Sequence, residues 1–377
     1  MSGKKLSYEI LLLRCIGCLF VAAVHAVIMT YRIHDPIPNE LYRLALNSIR
    51  TICSVGTPIF IFITEFLIAK NYKEDLPKQF ISKRLKVLIP PYIAMGIIGS
   101  LYKVQESGQP FTAYNLGMQS LKNIFLADYN GYFIVIIIQF ILIHYLFHYK
   151  LKLWPAKIVL PASFLVNFVY LAFFNFVPPF GFSESTGNYI WYYLSWMPFF
   201  GWAFYFALGY YCGKHYDKFI ETLNRRKWLI LAAPLFFGAV LLGTKMLGIP
   251  KVNTSKTIWY LFFMPSVTFV IFYLSSKLKS VPNFVVSISD HSFGIYLTHA
   301  VIMRVFVLLY KPHFADAPAI VTFVLIYVTC VGLAMAVTNV LNKVPFGKYL
   351  VGPVRDNAKA VRKQQGLDAP SVATAAK

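Results

Sequence analysis

Acidic residues are scarce in this chain of 377 residues. Asp and Glu number 15 against 36 Lys and Arg, and the charged types together make up 14% of the sequence. A water-soluble domain carries nearer one quarter, so that class is excluded. With 58% hydrophobic residues and a mean hydropathy of +0.59, the composition is that of an integral membrane protein. Cysteine is sparse as well. The five are Cys15, Cys18, Cys53, Cys212 and Cys330, all within or at the ends of apolar segments, which implies no disulfide framework. Cys15 and Cys18 spell C-x-x-C one helical turn apart with no flanking strand signal, so neither a redox pair nor a metal site is expected. H-E-x-x-H, a P-loop and a G-x-S-x-G elbow are all missing, which argues against a serine hydrolase. No long soluble insert and no internal repeat is visible. The first points to one membrane domain, and the second weakens an inverted-repeat transporter.

Ten apolar stretches are present, at roughly 9–31, 50–69, 87–103, 131–149, 156–176, 190–212, 228–247, 257–275, 286–310 and 318–342. The expected fold is therefore all-α, a polytopic membrane protein built as a bundle of about ten transmembrane helices. It should occupy residues 1–345. Residues 346–377 should form a cytoplasmic disordered tail, because after Gly352 the chain is Ala, Lys, Gln and Ser with few large apolar side chains. Alternate loops then share a side. On the side of both termini Lys and Arg number 25, and on the other 9. The positive-inside rule places both termini in the cytoplasm. The same asymmetry explains most of the net charge of +21 as topology and contact with anionic membrane lipids, without nucleic acid. Two outward loops are longer, 104–130 and 177–189. The stretch after the second, WYYLSWMPFFGWAFYFALGYYCG, is either an interfacial aromatic belt or a sugar-stacking platform at the mouth of a site.

The first span carries Arg14 and His25, 11 positions apart. At about 100° per residue they fall on one helix face, separated by roughly 16 Å along the axis. A guanidinium inside a span is costly unless it faces protein or water, so a polar interior path is implied. Arg14 is near enough to the helix end to snorkel, but His25 lies too deep for that. A cleaved signal peptide is disfavoured by Glu9, Arg14 and the polytopic chain that follows. Glu65 lies in the second span and needs a partner or a raised pKa, with Arg14 a candidate. Lys83, Arg84 and Lys86 precede the third span, either as membrane anchors or as a phosphate clamp. Gln139 and His144 lie in the fourth span. Ser292 and His299 share a face of the ninth, and His299 and His25 are two deep histidines that one cavity would bring together.

Arg14-x10-His25, with SVGTPIFIF, the basic run before IPPY and SFGIYLTH, resembles the acyltransferase 3 family over roughly residues 8–345. Within it, GTPIFIFITEFLIAKNY, NGYFIVIIIQF and FGWAFYFALGYYCG look most like the intercellular adhesion protein C branch of poly-N-acetylglucosamine biofilm operons, whose members have been called both exporters and O-acyltransferases. The resemblance implies transfer of an acetyl or succinyl group from cytoplasmic acyl-CoA, with no tightly bound cofactor. The acceptor would be a hydroxyl of a carbohydrate polymer or lipid-linked sugar, and a polysaccharide synthase is a possible partner. His25 would act as general base or acyl carrier and Arg14 would hold the donor or orient the polar path. Lys83, Arg84 and Lys86 would bind its phosphates, with His299 and Glu65 in supporting roles. The alternative is a polysaccharide exporter or flippase. The chain departs from the family's pattern at Thr64-Glu65, where Ser-Gly is common, in the spacing of its basic run, and in its fourth span, where Tyr132 and Ile137 replace a Trp and a Glu and Gln139 is kept.

Overall fold

In hydrocarbon a backbone N–H or C=O finds no water, so an apolar run satisfies these groups by coiling into a helix. A computed structural model describes residues 8–179, 184–250, 255–314, 316–357 and 361, and among them there is no strand. Among the described residues, eight helices or helix pairs are long and apolar enough to cross a membrane. They are α1 (Tyr8–Ile33), α2 (Glu40–Cys53) continued by α3 (Gly56–Asn71), and α4 (Phe80–Glu106). After α5 (Ala113–Phe125) come α6 (Tyr132–Leu153) and α7 (Ala156–Phe176). After α8 (Glu184–Trp196), α9 (Ala203–Lys214) and α10 (Tyr216–Arg225) comes α11 (Lys227–Met246). The shorter apolar α12 (Tyr260–Ser275) precedes α13 (Asn283–Tyr310) and α14 (Ala319–Asn342), and α15 (Lys348–Val351) is a single turn.

Of the ten expected spans, eight correspond to these long helices and one to α12. The tenth, 190–212, is two helices interrupted at Met197–Pro198 by a 3-10 turn over Phe199–Trp202. Proline cannot donate the helix hydrogen bond, and the freed groups are met by neighbouring side chains. Gln139 donates Nε2 to the Met197 carbonyl at 3.0 Å and accepts from the Phe199 N–H at 3.1 Å. Asn167 accepts from the Phe204 N–H at 3.2 Å. The loop 104–130 contains α5, started by Thr112, whose hydroxyl accepts from the Asn115 N–H at 3.1 Å. The basic loop 214–227 contains α10.

Helix α1 is interior. Its most apolar window is 67% buried against 6% for α11, and it packs on α2, α3, α13 and α14. The two ends of the bundle are fixed by ties between loops. At the near end, where α1 starts, Tyr216 donates its hydroxyl to Glu9 at 2.6 Å and Lys214 donates to the Lys152 carbonyl at 2.8 Å. At the far end Arg32 pairs with Glu106 at 2.6 Å, and the Tyr260 hydroxyl reaches the Thr51 carbonyl at 2.6 Å. Helix α9 lies close on α3. A Cβ at Gly209 or Gly213 would overlap the carbonyl oxygens of Phe62 and Phe66, so the G-x-x-x-G spacing sets the approach of the two backbones.

The tail expected from residue 346 begins with structure instead. After α15, residues 352–357 run as an irregular strap back over the near end, because side chains of α13 and α14 bind its backbone. Most of the sequence beyond 357 lies outside the described residues.

Candidate active site

Two cavities lie along α1, one at each end. The near cavity has a volume of about 590 Å³ and is lined by Arg14, Lys70, Arg84, Asp290 and Arg355 among mostly apolar side chains. The far cavity, about 400 Å³, is lined by His25, Arg32, Arg50, Lys103, Glu106, Asp128, Lys256 and Arg304 with Tyr132, Tyr192 and Trp196. Arg14 and His25 do share a face of one continuous helix. They open onto different cavities, which have no described lining residue in common. Between them stand Phe60, Phe133 and Tyr296, with ring centroids 6.3 Å apart for the first pair and 5.9 Å for the second. The Tyr296 hydroxyl donates to the Asn130 carbonyl at 2.7 Å and so ties this wall to the far side.

In the near cavity Arg14 is 8% exposed. Among the described residues its guanidinium has no hydrogen bond and no ion pair. The expected partner, Glu65, turns elsewhere. One residue along α3 is a rotation of about 100°, so Thr64 lines the cavity while Glu65 is buried against α6. There it makes a short bond to His144 Nδ1. The chain of contacts continues from His144 Nε2 to His148 Nδ1 at 3.1 Å, and from His148 Nε2 to the Glu74 carbonyl at 2.8 Å. Of the three expected phosphate ligands only Arg84 lines the cavity. Its guanidinium lies 3.7 Å over the Phe80 ring and donates to the Phe80 carbonyl at 3.2 Å. Lys83 and Lys86 stand on other faces of α4 and are exposed.

In the far cavity His25 contacts the Asn130 amide through Nδ1 at 3.4 Å. Among the described residues its Nε2 has no hydrogen bond. The ring of His299 lies 4.9 Å from that of His25, tilted by 58°. The two deep histidines therefore meet, but His299 is 1% exposed and lines neither cavity. Its Nδ1 donates to the Ile295 carbonyl at 3.0 Å, which leaves Nε2 as the lone-pair nitrogen, without a partner among the described residues. Glu106 bridges Arg32 at 2.6 Å and Arg304 at 2.8 Å, and Lys103 pairs with Asp128 at 3.1 Å. The Lys256 ammonium lies 5.1 Å from the Trp196 ring and 5.6 Å from that of Tyr192. Ser292 lines the near cavity and Gln139 serves the break between α8 and α9.

The family model for acyltransferase 3, described as an acyltransferase domain, matches residues 7–339. The chain is a member of that family. This acyltransferase is 35% identical over 347 residues to a Bacillus subtilis protein, YfiQ, named as a membrane-bound acyltransferase, covering 92% of the chain and 94% of the relative. It is 29% identical over 306 residues to a Staphylococcus aureus protein named for poly-beta-1,6-N-acetyl-D-glucosamine export, covering 80% and 83%. A Staphylococcus epidermidis protein of the same name is 29% identical over 350 residues, covering 88% and 92%. No solved structure matches. The matched stretch of this acyltransferase contains α1 with both Arg14 and His25, and ends before α15 and the strap. Lys256 and Arg355 were not singled out from the sequence. A lysine in a polar loop and an arginine in a polar tail carry no signal of their own.

Proposed function

We propose that the protein moves an acetyl or succinyl group from cytoplasmic acyl-CoA to a hydroxyl of an extracytoplasmic polysaccharide of the poly-N-acetylglucosamine type. The observation that carries this reading is the placement of Arg14 and His25 in two cavities at opposite ends of one helix. The near end is the cytoplasmic one, since the basic loops gather there.

The donor's phosphates lie against Arg14 and Arg84, and its thioester arm passes the wall of Phe60, Phe133 and Tyr296 towards His25. The acceptor sugar stacks on Tyr192 and Trp196 in the far cavity. A half-turn of the Asn130 amide lets Oδ1 accept from Nδ1–H, and His25 Nε2 then faces the cavity as a base. Nε2 takes the proton of the acceptor hydroxyl, and the oxygen attacks the thioester carbonyl carbon. The C–S bond breaks and the leaving thiolate receives the proton from His25. His299 packs on His25 and keeps its ring in place, and Glu65 braces α3 against α6. Polymer export, the activity named for the staphylococcal relatives, is the second reading. Against it stands the separation of the two cavities, which share no described lining residue and have Phe60, Phe133 and Tyr296 between them.

Purified protein with labelled acyl-CoA and a defined oligosaccharide, read by mass spectrometry, tests the reaction. His25→Gln keeps size and hydrogen bonding but cannot act as the base. It should lose about 10²–10⁴-fold in rate while membrane abundance stays at wild-type level. Near-normal acylation by this variant would remove the base assignment. Normal acylation with polymer retained inside the cell would favour export.

A further inference from the structure

We propose that the C-terminal strap, residues 352–357, completes the donor site, with Arg355 as a ligand for the donor's phosphates. This rests on the acyl-CoA reading of the near cavity. Three residues of the strap, Pro353, Arg355 and Asn357, line that cavity beside Arg14.

The strap is held at both ends. Asn342 on α14 donates Nδ2 to the Gly352 carbonyl at 3.1 Å and accepts from the Val354 N–H at 3.1 Å. Asp290 on α13 accepts from the Asn357 N–H at 3.0 Å and from its side-chain amide at 2.5 Å. The Arg355 N–H reaches the Asp290 carbonyl at 3.4 Å. Gly352 has φ +74°, and a Cβ there would overlap the Phe293 ring, so only glycine lets the chain turn this close to α13. Farther on, Val361 is buried in a cluster with Leu11 and Cys15 of α1.

Charge then gives the strap a purpose. Both oxygens of Asp290 are occupied by Asn357. Among the described residues the Arg355 guanidinium has no hydrogen bond or ion pair, and Arg14 across the cavity has none either. The cavity lining carries four cations, Arg14, Lys70, Arg84 and Arg355, against the single carboxylate of Asp290. Guanidinium groups gathered in one pocket around a single carboxylate, which only partly offsets their charge, suit a ligand with several negative charges, and their planar forks match phosphate. Acyl-CoA carries a diphosphate and a further phosphate. The strap lies past the stretch matched to the family model, 7–339.

The test uses the full chain in detergent or nanodiscs and measures equilibrium binding of labelled acetyl-CoA, acetyl-pantetheine and inorganic pyrophosphate. Arg355→Gln should weaken acetyl-CoA by about tenfold or more, as expected for loss of a charge-assisted contact, and leave acetyl-pantetheine unchanged. Arg355→Lys should recover part of the loss. Asn342→Ala, which frees the strap but keeps its arginine, should weaken acetyl-CoA in the same direction, with thermal unfolding recorded for each variant. Wild-type affinity for acetyl-CoA in Arg355→Gln, with a loss in Arg84→Gln, would overturn the strap's role. Wild-type protein that binds pyrophosphate through Arg355 but does not bind acetyl-CoA would overturn the donor reading and leave the strap standing as an anion site. Binding of neither would overturn both.

Discussion

Lys256 sits in the turn before α12, only 8% exposed, with the aromatic rings of the far cavity around its ammonium. Burial pulls its pKa from 10.5 down to about 7. Between those two values the unfolded chain holds a proton that the folded chain lacks, so stability rises with pH across that window. Below about 7 both forms are charged and the penalty is constant. The unfolding midpoint in detergent should therefore climb from pH 7 to pH 10, and Lys256→Met should flatten the climb. Parallel profiles for the two proteins would show that the ammonium is not the cause. Arg14 and His25 could be read from sequence because an ionisable group in an apolar run has few uses and must face something polar. Lys256 could not, since its burial comes from Tyr132, Tyr192 and Trp196 on distant segments. Glu65 shows the same limit in another form. Its need for a partner was legible, but choosing His144 over Arg14 depends on how α3 is rotated against α6.

Among the helices, the contact of α3 with α9 makes a backbone-to-backbone demand on sequence. Gly213→Ala would place a methyl group against the Phe66 carbonyl of α3, a backbone atom that cannot swing aside. Overpacking of this kind costs about 1–3 kcal/mol, and a lowered midpoint in thermal unfolding would report it. Gly243 on α11 is the matched control, because a Cβ there meets nothing within 4 Å. Gly243→Ala should be neutral or raise stability by about 0.5–1 kcal/mol, as expected for leaving a flexible residue out of a helix interior. Equal losses at both positions would contradict the close-approach account. Length and hydropathy were enough to place the long helices. They did not reveal the break at Pro198, because the polar partners that make it tolerable, Gln139 and Asn167, come from α6 and α7. Nor did they reveal α5 and α10, whose apolar faces are too short to register as spans.

For the molecule as a whole, orientation decides which substrate meets which cavity. Single cysteines at Asp75, near end, and Gln109, far end, in a cysteine-free background can be probed on intact cells with a membrane-impermeant thiol reagent. Labelling at Gln109 alone is expected. Labelling at Asp75 alone would invert the donor and acceptor sides. Loop charge by itself predicts the sidedness, since the bias of 25 to 9 is a property of composition. The division of the interior into two chambers was not legible. Phe60, Phe133 and Tyr296 belong to three separate helices, and nothing in their spacing says that their rings meet.

That ring of aromatics also has an electrical consequence. If each cavity opens to its own face of the membrane, as the proposed function requires, the insulating layer is thinned to the width of those side chains, and much of the membrane voltage should fall across them. A substituent carried past the rings crosses that field. Acetyl is neutral and should be indifferent to it. Succinyl brings one negative charge, and its outward passage gains up to about 2.3 kcal/mol per 100 mV when the interior is negative. In sealed vesicles, imposing such a voltage should speed succinyl transfer and leave acetyl transfer unchanged, and equal responses of the two donors would place the voltage drop elsewhere.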